Sequence, residues 1–167
     1  HPEVQDFDYW KESMSEIDFL KNMVTQLSSA RLCSHLNLMQ INIYAFMNQI
    51  NDSIRMLSWK DFNCELIMKD SLPLVEIDSQ LLKQAIINII KNAYEAMDGT
   101  GTISIQVFFK DQLLHIAIID QGGGLDPALA ESIFDPFITS KTGGSGLGLV
   151  ITKQIIEAHQ GILTCDS

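Results

Sequence analysis

Asn88 and Asn92 stand four residues apart, and downstream of them come DQGGGLD at 120–126 and GGSGLGL at 143–149. The three pieces bring different chemistry. A side-chain amide oxygen is a hard, neutral ligand that suits Mg2+ held mainly by phosphates and water. Asp120 ends an apolar run and can accept from an exocyclic amine such as the adenine amino group. Bare glycine backbone can turn its N–H groups toward phosphate oxygens, and a helix opening beside it adds the positive end of its dipole. Together the pieces could enclose a magnesium-bound purine triphosphate.

The elements that must position them are legible from periodicity. QLLKQAIINIIKNAYEAM at 80–97 carries an apolar stripe of Leu82, Ala85, Ile86, Ile89, Ala93, Ala96 and Met97. At about 100° per residue, Asn88, Asn92 and Glu95 fall on one polar border of that helix. Asparagine is a mediocre helix former, so two of them beside a buried stripe are unexpected, although solvated surface asparagines would look the same in isolation. Asp78 or Ser79 caps the helix and DGTG at 98–101 stops it. Two strands follow, 102–110 and 113–120, joined by a tight polar turn at Asp111-Gln112. The glycines after Asp120 permit a sharp turn and close approach of a flat base, though DxGxG alone also suits an ordinary Asx turn.

Residues 134–146 lack periodicity and read as a loop, and a helix spans about 147–159. Upstream, 7–30 forms an amphipathic helix through Trp10, Met14, Ile17, Leu20, Val24 and Leu27. That stripe demands burial, against an upstream segment or a second subunit, or else on the rest of this chain. A connector at 30–35 leads to a second helical pattern over 36–57. Strand signals appear at 63–69 and 74–77, a short helix starts near Asp126-Pro127, and a last strand starts at 162–165. Helices alternate with strands but two strands form a hairpin, so the sheet is mixed.

Two other phosphate-binding patterns fail. GxxxxGK[ST] needs a lysine where Leu149 follows Gly148, and no glycine set here has the GxGxxG spacing. No Cys/His spacing resembles a zinc site, and His35, His115 and His159 are scattered.

The 167 residues carry 11 basic and 21 acidic side chains, a formal charge of −10, with 46% hydrophobic content. That is enough for one core plus a peripheral element. The acidic excess argues against nucleic acid or an anionic membrane as the main partner. Cys33, Cys64 and Cys165 are far apart and odd in number, which suits free thiols in a reducing cytosol. No run approaches the ~20 apolar residues of a membrane span. A membrane anchor is expected only in segments outside these residues, and the location is expected to be cytoplasmic.

Taken in order, these motifs resemble the catalytic ATP-binding domain of sensor histidine kinases, within the wider GHKL group of Bergerat-fold ATPases. NIIKNAYEAM at 88–97 looks like the N box and DQGGG at 120–124 like the G1 box. FDPFITSK at 134–141 is similar to the F box, and GGSGLGL at 143–149 to the G2 box. The resemblance implies a two-layer α/β sandwich with a mixed sheet and helices on one face over residues 36–167. It also implies that 1–35 are the second helix of a dimerisation and histidine-phosphotransfer hairpin, so that the full protein is a homodimer partnered by a response regulator.

Residue roles follow from the resemblance. Asn92 would ligate Mg2+, and Asn88 would contact phosphate or metal-bound water. Asp120 would hold the adenine amine, supported by the turn at Gly122 and Gly124. Phe134 and Phe137 would anchor a lid over ATP, and Lys141 would approach the outer phosphates. Gly144, Ser145, Gly146, Leu147 and Gly148 would wrap the triphosphate. Two features depart from the family pattern. Glu95 stands where many relatives have a basic residue, and neither His1 nor His35 has the family's phosphoacceptor context, so that histidine is expected upstream of residue 1.

The implied reaction is transfer of the ATP γ-phosphoryl group to a histidine. The group's ATPases carry a water-activating glutamate at the position of Asn88, and an asparagine cannot take that proton. A GHKL serine kinase of the anti-sigma type would share the four boxes without the leading helix. A nucleotide-sensing module that only dimerises is a third reading.

Overall fold

The computed structural model describes residues 13–14, 16–17, 35–57, 59, 61–69, 72–125, 129, 132–139 and 145–166. The amphipathic segment 7–30 therefore lies outside them except at 13–14 and 16–17, which are helical. The hairpin helix expected over 1–35 likewise lies outside them except at 13–14, 16–17 and 35.

The chain runs β1 (Met39–Asn42), α1 (Ile43–Arg55), β2 (Phe62–Met68), β3 (Leu74–Ile77), α2 (Ser79–Ala96), β4 (Gly101–Lys110), β5 (Leu113–Ile119) and α3 (Gly148–Ala158). Strands β2, β4 and β5 form one sheet in that order; β1 and β3 form a separate antiparallel pair. β2 and β4 are parallel, in register from Phe62 opposite Gly101 to Met68 opposite Val107. Parallel neighbours need a crossover, which β3 and α2 supply. β4 and β5 are antiparallel and meet at a two-residue turn. Asp111 and Gln112 both have positive φ there (52° and 64°), the twist that a two-residue hairpin favours. The sheet is mixed, as its sequence pattern predicts.

Alternation along β4 sets the layers. Ile103, Ile105 and Val107 are buried against the helices, joined by Leu66 of β2 and Ile116 and Ile118 of β5. The alternate residues face outward, where Phe108 stacks on His115 at 4.8 Å. Helix α1 contributes Ile43, Phe46, Met47, Ile50 and Ile54, and α2 contributes Leu82, Ile86, Ile90, Ala93 and Met97. A second cluster, Leu81 and Ala85 with Ile151 and Ile155, zips α2 to α3, and Leu36 packs on it. The result is two layers, helices over one face of a sheet.

Three expectations change. Residues 36–57 are not one helix: β1 pairs with β3 from Met39 opposite Ile77 to Asn42 opposite Leu74, and Asn42 then caps α1 by accepting from the Ala45 N–H at 3.1 Å. A cap residue takes extended φ/ψ, so the helix cannot run back through it. Residues 162–165 form no strand, because they make no ladder with a neighbour among the described residues. The short helix expected from Asp126 is not seen in its described part, where 129 and 132–134 are turns; 126–128 lie outside the described residues.

The apolar stripe of α2 is also shifted. Leu81 and Ile90 are buried, whereas Ile89 is half-buried and Ala96 exposed. Beyond the helix, Gly99 donates to Tyr94 O at 3.0 Å and closes the last turn. Trp59 stacks on Tyr94 with ring centroids 4.1 Å apart, and Phe62 meets both edge-on. No helix of the described residues is long and apolar enough to cross a membrane.

Candidate functional site

Asp78 fixes where α2 begins. Its carboxylate, 9% exposed, accepts from the N–H groups of Gln80 and Leu81 at 3.1 Å each, and from Asn37 N–H at 3.0 Å. His159, at the end of α3, accepts from the Asp78 N–H through Nε2 at 3.0 Å. Its Nδ1 lies 2.7 Å from Ile155 O, so that nitrogen carries the proton. This histidine, unassigned by its sequence context, locks the two helices together at the end away from the glycine loop.

With its start fixed, α2 places Asn88 against the first turn of α3. Asn88 Nδ2 donates to Thr152 Oγ1 at 2.9 Å, and a Cβ on Gly148 would lie 2.8 Å from Asn88 Oδ1. Two turns further along, a Cβ on Gly122 would lie 2.8 Å from Ala96 O and 2.9 Å from Asp120 Oδ1. The turn after β5 is thus pressed onto α2, with Asp120 accepting from the Gly122 N–H at 2.9 Å. Asn88, Asn92 and Ala96 follow one another at four-residue steps. Asn92 therefore sits about 6 Å along the axis from each contact, on the same side of the helix. Its carboxamide bonds to no other described residue.

The glycine loop is held to the segment before it. Phe137 N–H donates to Gly146 O at 3.2 Å. Gly146 has φ +65°, and a Cβ there would fall 2.5 Å from the Phe137 carbonyl carbon, so no other residue fits. Phe137 itself has φ 68° and is 63% exposed. Lys153 stands over the Phe134 ring at 5.6 Å. Leu147 is the N-cap of α3 and supplies no side-chain cap, although Ser145 Oγ accepts from its N–H at 3.4 Å. Among the described residues, no side-chain cap accepts from the first-turn N–H groups of α3. Gly124 (φ 78°) completes the turn after Asp120. Gly143, Gly144 and Lys141 lie outside the described residues.

Donor chemistry bears on a metal. No group of three or more His, Cys, Asp or Glu that could hold an ion exists among the described residues. Two carboxamides without such a cage suit Mg2+ that arrives on a phosphate chain and keeps much of its water, and they would suit zinc poorly. Close to Asp120, burial pushes the Cys165 thiol up, with further upward pushes from the charges of Asp166 and Asp120.

Residues 77–167, more than half of the chain, match the family model for histidine kinase-, DNA gyrase B- and HSP90-like ATPases. The chain belongs to this ATPase family. Among curated relatives, the signal transduction histidine-protein kinase AtoS of Escherichia coli (strain K12) is 34% identical over 158 residues, covering 92% of this chain and 26% of AtoS. Sporulation kinase A of Bacillus subtilis (strain 168) is 41% identical over 99 residues, covering 59% of this chain and 16% of that kinase. The chain thus spans about a quarter of the first relative and about a sixth of the second. Among solved structures, full-length ShkA is similar with a TM-score of 0.72 at 22% identity, over 88% of this chain and 32% of ShkA. At that identity the likeness is one of fold, and it matches the α/β layering found here.

Sequence reasoning missed Thr152. It is 1% exposed and joined to Asn88 across 64 residues of chain. The only local signal is a hydroxyl among the buried positions Ile151 and Ile155 of α3.

Proposed function

We propose that this ATPase-family domain binds Mg-ATP between α2, the turn after β5 and the first turn of α3, and that the whole protein is a sensor histidine kinase. The γ-phosphoryl group would pass to a histidine of a dimerisation hairpin and then to a response regulator. One observation carries the reading. A single face of α2 presents Asn92 midway between Asn88, which touches Gly148, and Ala96, which touches Gly122. A ligand at Asn92 would therefore have the glycine loop on one side and Asp120 on the other.

The roles follow from chemistry. Asp120 accepts from the adenine amine, and the free N–H groups of α3 with Gly144, Ser145, Gly146 and Leu147 receive the phosphates. Lys141 approaches the outermost phosphate, and Phe137 anchors the lid. Mg2+ held by Asn92 supplies neutralisation of the phosphate charge. A nitrogen–phosphorus bond forms as the bond between the γ-phosphorus and its bridging oxygen breaks, and ADP leaves. Such transfer depends on alignment and charge compensation more than on covalent help from the protein. Asn88 cannot act as a base toward water, which favours a protein acceptor over hydrolysis. AtoS is named a histidine-protein kinase and the Bacillus subtilis relative a sporulation kinase, which favours that acceptor over a serine and over a module that only senses nucleotide.

Affinity measurements test the site. Asp120→Ala and Asn92→Ala should each weaken Mg-ATP by about 1.5–3 kcal/mol, the usual cost of losing a bond to a charged group. Parent-like binding by both variants would end the assignment. Lys141→Ala should weaken ATP more than ADP; equal losses would remove Lys141 from the outer phosphates. Full-length protein that binds ATP yet labels no histidine would refute the kinase step.

A further inference from the structure

Asn88 has two faces, and a buried threonine decides which one is free. Thr152 Oγ1 lies 3.0 Å from Gly148 O and 2.9 Å from Asn88 Nδ2. A hydroxyl has one proton to give, and a backbone carbonyl can only accept. Both contacts are kept only when the proton goes to Gly148 O and Oγ1 accepts from the NH2 side of Asn88. A reversed carboxamide would either set two oxygens face to face or draw the proton away from Gly148 O, and at 1% exposure no water makes up the lost bond.

We infer that Thr152 is a positioning residue that fixes the orientation of the Asn88 carboxamide, so that Asn88 offers the site an acceptor oxygen. This rests on the Mg-ATP reading above and narrows it. Asn88 Oδ1 receives no hydrogen bond from a described residue. An acceptor-only atom repels phosphate oxygens and faces a metal ion or the protons of a metal-bound water. The partner of Asn88 is thus the hydrated cation, and the phosphates are left to the backbone of α3. Packing alone does not call for the hydroxyl: a valine would fill the same β-branched volume beside Ile151 and Ile155, whereas only threonine or serine can accept from Asn88.

The test compares nucleotide affinity with and without the metal in the 167-residue chain. Thr152→Val should weaken Mg-ATP about three- to tenfold, leave ATP in EDTA unchanged, and raise the Mg2+ concentration needed for half-maximal binding. Thr152→Ser should behave like the parent. Placed on Asn88→Ala, Thr152→Val should add nothing, because the pair acts as a unit. Unchanged Mg-ATP affinity in Thr152→Val, equal loss with and without Mg2+, or failure of serine to restore binding would each overturn the inference.

A readout without ligand separates this from the functional reading. In the nucleotide-free protein, the Asn88 Nδ2 proton that bonds Thr152 Oγ1 should have an NMR shift displaced from that of a solvated asparagine amide; the displacement should vanish in Thr152→Val and persist in Thr152→Ser. Identical signals in parent and Thr152→Val would refute the anchor, even if the unsubstituted chain binds no nucleotide. That last result would refute the functional reading instead.

Discussion

The two helices that flank the site begin in opposite ways. α2 starts at a buried aspartate whose carboxylate takes three backbone N–H groups, and a histidine from α3 takes a fourth from Asp78 itself. α3 starts at Leu147 with no side-chain cap, after a loop of glycines. Every helix start leaves donors that need acceptors. In α2 the protein supplies them and the terminus becomes a fixed point of the fold. In α3 no side-chain cap is present among the described residues, which suits the anion site proposed above. A capped start on one side and an uncapped start on the other would, on the proposed reading, let α2 act as the reference against which a nucleotide is held.

The contrast can be broken from its capped end first. Asp78→Ala removes the acceptor for three N–H groups in a buried place and should lower stability by about 2–4 kcal/mol in urea unfolding. A loss under about 0.5 kcal/mol would mean that the cap is ornamental. From the open end, Leu147→Asp would place a carboxylate where α3 has none. Mg-ATP should weaken about tenfold through charge repulsion and competition for the N–H groups, while stability changes by no more than about 1 kcal/mol. Unaltered binding would remove the phosphates from this terminus.

The smallest effect concerns the core behind both. Burial raises the Cys64 thiol above its ordinary 9.0, and the nearby Arg55 charge only partly offsets this. A group held protonated by the fold adds stability that is present below the unfolded value and disappears as pH climbs through the folded one. Stability of the parent should therefore fall above about pH 9, and Cys64→Ala should fall less steeply over the same range. Parallel curves would show that the thiol is not desolvated.

Much of this architecture is local information. Asp78 as a cap, the eighteen-residue periodicity of α2 and the Asp111-Gln112 turn are each written within a few neighbouring residues, and each appears in the structure. β1 is not local. Met39 and Ile41 fit a helical stripe equally well, and only pairing with β3, more than thirty residues later, makes them a strand. The same holds at the site: Asn88, Asn92, Asp120 and Gly146 are legible as residue types, but the contact with Thr152 depends on how two helices dock. The burial of Leu81 has that cause too, since α3 covers a face that a lone helix would leave open, whereas Ile90 joins the cluster against the sheet.

The four-residue steps from Asn88 to Asn92 to Ala96 have a consequence for what changes this chain can absorb. Many substitutions between those positions would leave the phase of the helix intact. Inserting or deleting one amino acid there would turn everything beyond it by about 100° and swing the Gly122 contact away from the Gly148 contact. Between Asn88, Asn92 and Ala96, length matters more than the identity of the intervening residues.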